Sequence, residues 1–196
     1  MYLDYGLGYI EVITGGMFAG KSEELIRRVT VLSYANLSIL VVKPSVDTRY
    51  SETEVVTHSG NRIDSVAVKD SKELADYLYE IGKKGEHIDV VAIDEVQFFD
   101  NGIVELVNQL ADNYVRVIVA GLDLDFKGSP FGPMPELLAS AEFVTKLSAV
   151  CSKCGRSATR SQRLIDGKPV PADSDVVQLG ATESYEARCR QCHEVL

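Results

Sequence analysis

The stretch Tyr9-Ile-Glu-Val-Ile-Thr14-Gly15-Gly16-Met17-Phe18-Ala19-Gly20-Lys21-Ser22 decides the fold of this chain. Residues 9–14 are a short β-branched run, and residues 22–34 carry Leu25, Ile26, Val29 and Leu32 at helical spacing, so the order is strand, glycine loop, helix. The loop fits G-x-x-x-x-G-K-[S/T] in full. Glycines let backbone N–H groups turn inward around phosphate oxygens, and the following helix N-terminus adds positive potential. Lys21 can neutralise terminal phosphates, and the Ser22 hydroxyl can reach Mg²⁺. A tight turn with a solvated lysine is the plainer alternative, and the flanking strand and helix weigh against it. The residues expected to hold a nucleoside triphosphate are Gly15, Gly16, Met17, Phe18, Ala19, Gly20, Lys21 and Ser22.

Outward from this loop, residues 37–42, 88–93 and 115–121 are nearly continuous in Val and Ile, as in strands covered on both faces, and predict a parallel sheet. Residues 71–81 and 102–110 show amphipathic helical spacing between them, the alternation of an α/β fold. Ser71 is a plausible N-cap for the first of these helices. Two short β-like runs, 54–57 and 62–66, surround Ser59-Gly60-Asn61 and predict a hairpin inserted in the α/β order. The run Val90-Val-Ala-Ile93 ends in Asp94-Glu95. Consecutive strand residues point opposite ways, so one carboxylate can approach Mg²⁺ held by Ser22 while the other accepts a proton from a nucleophile. A bare acidic pair opening a polar loop is the alternative.

The 196 residues suffice for one full domain with at most a small satellite, and 45% hydrophobic with 25% charged residues is an ordinary globular composition. A formal charge of -9 argues against a surface built to neutralise many nucleic-acid phosphates. Residues 1–8 carry Asp4 and no basic side chain, and no apolar run approaches a membrane span, so the expected location is cytoplasmic, without membrane contact. The character changes near Lys146. Residues 1–145 hold 12 basic and 23 acidic side chains, whereas residues 146–196 hold 8 and 6, which suggests a core of 1–145 and a small domain of 146–196.

All four cysteines lie in that second segment, as Cys151-x-x-Cys154 and Cys189-x-x-Cys192. Four thiolates match the tetrahedral preference of structural Zn²⁺ and leave no open position for catalysis. His193 is read as a surface residue, because the thiols already fill the site. The 34 residues between the pairs form a long excursion containing Arg156, Arg160, Arg163, Lys168 and Tyr185. It is either a lid over a flat polar molecule or a ribbon with a solvated basic face. The second possibility supports a competing function, an ATP-driven nucleic-acid-binding module, since residues 146–170 hold six basic side chains and one acidic. A scarcity of aromatics among those cations counts against it.

Three features together resemble the cellular, zinc-containing (type II) thymidine kinases: the phosphate loop with Met17-Phe18, the stretch Asp94-Glu95-Val-Gln97-Phe98-Phe99, and Tyr185-x-x-x-Cys189-Arg-x-Cys192. Val46-Asp47-Thr48-Arg49-Tyr50, Gly121-Leu-Asp123 with Phe126, Pro130-Phe131-Gly132 and Ser161-Gln-Arg163 follow in the family's order. The resemblance implies a P-loop, RecA-like core with a mostly parallel sheet and a C-terminal zinc-ribbon lasso. It also implies transfer of the γ-phosphate of ATP to the 5′-hydroxyl of thymidine or deoxyuridine. By position Glu95 would be the general base, with Lys21 and Arg49 stabilising the transferred group, and Ser22, Asp94 and Asp47 around Mg²⁺, directly or through water. The family pattern puts Met17, Leu122, Phe126, Ser161 and Tyr185 around the nucleoside and Phe98 and Phe131 as aromatic walls. It sets the backbone of Val177, Gln178, Leu179 and Gly180 against the pyrimidine edge. Met17, Phe98, Leu122 and Phe131 each have a core alternative on sequence grounds. Ser161 stands where some members carry threonine, and Gly16 where proline or serine is frequent. A homotetramer and feedback inhibition by thymidine triphosphate (dTTP) are implied by the resemblance alone.

Overall fold

The computed structural model describes residues 8–46, 54–56, 62–176 and 183–196. The core elements in chain order are β1 (Tyr9–Thr14), α1 (Lys21–Ser33), β2 (Ile39–Pro44), β3 (Glu54–Val56), β4 (Arg62–Asp64), β5 (Val66–Val68), α2 (Ser71–Lys83), β6 (Val90–Ile93), α3 (Gly102–Asp112), β7 (Arg116–Gly121), α4 (Met134–Ser140) and β8 (Phe143–Lys146). Six of the strands make one sheet in the order β5-β2-β6-β7-β1-β8, with every neighbouring pair parallel.

Alternation along the strands divides the core into two layers. Val12, Val91, Ile93, Val117 and Val119 face α2, α3 and α4, packing on Leu74, Ile103, Val107, Met134 and Leu137. Ile13, Val90, Ala92, Ile118 and Ala120 face the other way onto Leu25, Ile26, Val29 and Leu32 of α1. This explains the unbroken apolar runs, since both faces of these strands are covered. Full burial of each such Ile, Leu or Val contributes about 1.5–3 kcal/mol before ordering costs.

The predicted hairpin forms in part. Residues Glu54–Val56 and Arg62–Asp64 pair antiparallel, and its apolar Val55 and Ile63 join the α1 layer; the turn, including Ser59-Gly60-Asn61, lies outside the described residues. The second run ends earlier than expected, because Asp64-Ser65 breaks it and Val66–Val68 becomes the edge strand of the main sheet beside β2. The cap of α2 is Asp70, not Ser71: its carboxylate accepts the Glu73 N–H at 2.9 Å. Ser71 lies within the first turn, where its N–H and hydroxyl donate to Asp100 at 2.8 and 2.7 Å and tie α2 to the start of α3. Helix α4 and edge strand β8 carry too short a pattern to have been predicted, seven and four residues.

The small C-terminal region is antiparallel: β9 (Ala149–Val150) pairs with β10 (Ser157–Ala158), and β11 (Arg160–Ile165) lies between β12 (Lys168–Pro169) and β13 (Glu183–Arg188). Among the described residues no helix is long and apolar enough to cross a membrane.

One ionic cluster sits inside the α1 layer. The Glu11 carboxylate of β1, 3% exposed, receives Arg28 of α1 at 2.5 Å and the Arg116 guanidinium of β7. A buried carboxylate between two guanidinia is tolerable only while both are present. Glu11→Ala should therefore lower the unfolding free energy by roughly 3 kcal/mol, since Arg116 loses its buried carboxylate while Arg28 keeps its pairing with Glu24 at 2.8 Å. Urea unfolding measures this, and a loss under about 1 kcal/mol would mean that the guanidinia regain water freely.

Candidate active site and metal centre

In parallel strands all carboxyl ends share one edge, where ligands of open α/β sheets collect. Thr14 of β1 is in register with Gly121 of β7, and Ile93 of β6 with Val119, so Gly15, Asp94 and Leu122 leave the sheet side by side. The Thr14 hydroxyl donates to the Gly121 carbonyl at 3.0 Å and pins the two ends together.

Lys21 opens α1 and is 8% exposed; its Nζ donates to the Gly16 carbonyl at 3.0 Å, folding the side chain back across the phosphate loop. Phe18 occupies the left-handed region, φ 64°, with its ring about half exposed. The Ser22 hydroxyl donates to Asp94 Oδ2 at 2.8 Å, joining the loop to the end of β6. Burial, and then the negative charge of Glu95, push the Asp94 carboxyl up to about 7, against the opposing bond from Ser22. Glu95 turns out of the strand in the left-handed conformation, φ 50°, into a single 3-10 turn over Val96–Phe98. Its backbone N–H donates to Asp94 Oδ1 at 3.0 Å, and its carboxylate accepts the Gln97 side-chain amide.

Next to this group, Leu122 is 9% exposed, and Phe98 and Phe131 meet edge to face with centroids 5.6 Å apart. The Met17 backbone N–H donates to Ser161 Oγ of β11 at 3.0 Å, a contact spanning 144 residues of chain. Phe126 is buried beneath the Arg163 guanidinium, 5.2 Å from its centroid, and Arg163 donates to the Asp175 carbonyl at 2.5 Å. Tyr185 lies on β13, half-buried, in register with Arg163. Asp47, Arg49 and residues 177–180 (Val177, Gln178, Leu179, Gly180) lie outside the described residues.

The four cysteine sulfurs lie within 4.8 Å of one another, and Cys154 and Cys189 are 3.7 Å apart. Tetrahedral bonds of about 2.3 Å to zinc require sulfurs about 3.8 Å apart, so the donor set fits a structural Zn²⁺. The thiols already differ in acidity. Desolvation opposes ionisation of Cys151, but the backbone N–H groups of Cys189, Lys153 and Cys154 outweigh it and lower that thiol to about 6. Contacts with the Cys189 and Cys154 sulfurs push Cys192 up to about 12, since four thiolates cannot share this space without a cation.

Two residues, His193 and Gln97, and the basic stretch 146–170 add to their sequence reading. His193 is half-buried instead of at the surface: its Nε2 lies 2.8 Å from the Phe126 carbonyl and joins the cysteine cluster to the loop after β7. Of the six basic side chains in 146–170, Arg156 and Lys168 are exposed, and three others are paired or buried. Lys146 pairs with Asp123 at 2.6 Å, Lys153 with Glu194 at 2.6 Å, and Arg163 is 0% exposed. Gln97 had no assigned role, yet it is 2% exposed and accepts the Leu122 N–H at 3.0 Å. A glutamine two residues past an acidic pair was the visible signal; its partner strand end, 25 residues on, was not.

Among solved structures, the chain is similar to domain III of the Thermotoga maritima replication initiation protein DnaA, at 17% identity and TM-score 0.39 over 71% of this chain and 55% of that one. It thus spans about half the length of that relative. It is also similar to the genome packaging NTPase B204 of Sulfolobus turreted icosahedral virus 2 in complex with ATP-gammaS, at 17% identity and TM-score 0.46 over 72% and 75% of the two chains. The family described as Thymidine kinase matches residues 8–193, nearly the whole chain, and includes the phosphate loop, the Asp94-Glu95 pair and all four cysteines. This chain belongs to the thymidine kinase family of ATP-dependent phosphotransferases.

Proposed function

We propose that the protein transfers the γ-phosphate of ATP to the 5′-hydroxyl of thymidine, and of deoxyuridine, to supply monophosphates for DNA synthesis. The observation that carries this reading is the convergence of Lys21, Ser22, Asp94 and Glu95 at one sheet edge, beside the Phe98–Phe131 pair. Phosphoryl transfer needs positioning and charge more than covalent help, and this edge supplies both. The phosphate loop holds the triphosphate by its backbone N–H groups, and Lys21 swings from the Gly16 carbonyl to the terminal phosphates. Glu95 accepts the proton of the 5′-hydroxyl as that oxygen bonds to the γ-phosphorus. The bond from the γ-phosphorus to the β,γ-bridging oxygen then breaks, and ADP leaves with the electron pair. Arg49 would add positive charge to the transferred group.

Ser22 and Asp94 are hard oxygen donors 2.8 Å apart, a fit for Mg²⁺, with Asp47 a further ligand through water. Bound there with ATP, Mg²⁺ would neutralise charge on the phosphates. Met17, Leu122, Phe126, Phe131, Phe98, Ser161, Tyr185 and the backbone of 177–180 would enclose the nucleoside. Aromatic faces pack its flat ring and amides read its edge. We assign residues 1–145 to the kinase core and 146–196 to its zinc-stapled lid. Free thiols in the staple suit a reducing cytoplasm. A homotetramer inhibited by dTTP is part of the same reading.

Transfer from labelled ATP and Mg²⁺ to thymidine, deoxycytidine, deoxyadenosine or no acceptor tests the activity. Thymidine monophosphate should form rapidly and selectively; ATP hydrolysis with no nucleoside product would overturn the assignment. Glu95→Gln should keep ATP and thymidine binding and lose roughly 10²–10⁴-fold in kcat, the usual contribution of a general base. Near-normal turnover in that variant would remove Glu95 from the role.

Asp94 makes a separate, pH-dependent prediction. A folded-state carboxyl raised to about 7 binds a proton that the unfolded chain has already released above about pH 4. Its contribution to stability is complete below pH 4 and is lost as pH rises through 7. Asp94→Asn, which keeps the shape without the charge, should therefore gain at least about 1 kcal/mol over the metal-free parent at pH 8 and little at pH 4. Thermal melts in chelator across that range measure the difference, and a gain that does not grow with pH would contradict it.

A further inference from the structure

We infer that Gln97 is a positioning residue that fixes the Glu95 carboxylate to the nucleoside wall; the inference rests on the reading of Glu95 as general base. Gln97 is 2% exposed and makes two directional contacts from one amide. Its Oε1 accepts the Leu122 N–H at 3.0 Å, and its Nε2 donates to Glu95 Oε2. A backbone N–H can only donate, so the amide oxygen must face Leu122, which leaves the NH₂ as the group presented to Glu95. The orientation of the amide is therefore dictated by β7, and the carboxylate takes its place from the amide.

The surroundings are shaped to this one side chain. A Cβ on Gly121 would lie 2.7 Å from Gln97 Oε1 and 2.9 Å from Met134 Sδ, so the end of β7 has no room for a side chain where the amide arrives. A Cβ on Gly132 would lie 2.3 Å from the Gln97 carbonyl oxygen, and Gly132 adopts φ 51°. The segment carrying Phe131 is thereby brought against the turn that carries Phe98, giving their edge-to-face contact. Three separated stretches, Asp94–Phe99, Gly121–Asp123 and Pro130–Gly132, meet on Gln97. Glu95 itself stands in the left-handed conformation on a single 3-10 turn, a backbone that does not hold a long carboxylate still. The amide restrains the carboxylate directly. It also makes the distance from the carboxylate to Leu122 a fixed property of the fold, so that a nucleoside packed on Leu122 presents its hydroxyl at a set place relative to Glu95.

The test is a double-mutant cycle on the full-length zinc-loaded enzyme, with kcat, KM for thymidine, ATP binding and melting temperature measured for each variant. Gln97→Met, similar in length and without either hydrogen bond, should lose roughly 10- to 100-fold in kcat, as misplacement of a reacting group by about 1 Å does. KM for thymidine and ATP affinity should stay within about twofold, since no binding contact is removed. In a Glu95→Gln background the same substitution should cost less than about twofold, because the carboxylate it positions is gone. Gln97→Leu, of similar volume and adding no buried charge, is the second variant, and its melting temperature shows whether the fold survives. It should unfold in a single transition and still lose turnover, because it offers Glu95 no amide N–H. Parent-like kcat in a folded Gln97→Leu would overturn the inference, as would a full additional loss on top of Glu95→Gln. If Glu95→Gln alone turns over normally, the reading of the base fails first and separately.

Discussion

Parallel register at β1, β7 and β6 is the constraint on which the rest of the molecule depends. A strand spacing of about 4.8 Å puts the phosphate loop and the acidic pair about 10 Å apart, with β7 between them. A serine on the first turn of α1 can span that gap, and it does so at 2.8 Å to Asp94. A slip of one residue in β6 would turn Asp94 into the opposite layer and put Glu95 where Asp94 now stands. What holds the register is the alternation of Val and Ile between two helical layers, together with Glu11, which clamps β1, β7 and α1 at the far end of the strands. The core thus places the chemistry without taking part in it.

The molecule handles buried negative charge in two ways. At Glu11 the fold provides two guanidinia of its own, and the site is closed. At Asp94, and among the four thiols, nearby protein groups do not suffice: the carboxyl is pushed up to about 7 and one thiol to about 12. Lys21, whose Nζ donates to the Gly16 carbonyl, offsets part of the Asp94 charge but less than burial and Glu95 add. A bound cation would offset such charge at either place. The two deficits differ in softness, oxygen in one and sulfur in the other, which separates a magnesium-type from a zinc-type position.

Much of this was legible before any coordinates. The phosphate loop, the five long elements around it and the paired C-x-x-C knuckles each declare themselves within a dozen residues, because local spacing carries their physics. Other features depended on distant partners. Asp70 and Ser71 are both competent caps, and only Asp100, 29 residues on, makes Ser71 the bridge and leaves Asp70 the cap. The run through Val66 looks continuous with the hairpin until β2 is there to pair with it. His193 looks like a surface residue until the Phe126 carbonyl, 67 residues away in sequence, is seen at its ring nitrogen. The resemblance of seven short blocks to one family carried the nucleoside pocket, which no single block could have specified.

The C-terminal region shows why a metal belongs in a kinase whose chemistry does not use it. Among the described residues its apolar cluster is small, Cys151, Ala158, Ala187 and Cys189 with Ala149 and Cys192 against them. A zinc ion held by these four thiolates would add folding energy, as it does in other small domains. Cys151 follows β9 and Cys189 follows β13, so the ion fastens the ends of strands whose neighbour, β11, delivers Ser161 to the Met17 N–H and Arg163 to Phe126. His193, one residue beyond the last cysteine, reaches the same loop from the other side. The phosphate loop and the loop after β7 are therefore braced from outside the core by a module with almost no core of its own. Geometry at the reacting edge is shared between a sheet that would fold on hydrophobic burial and a ribbon that depends on thiolate chemistry.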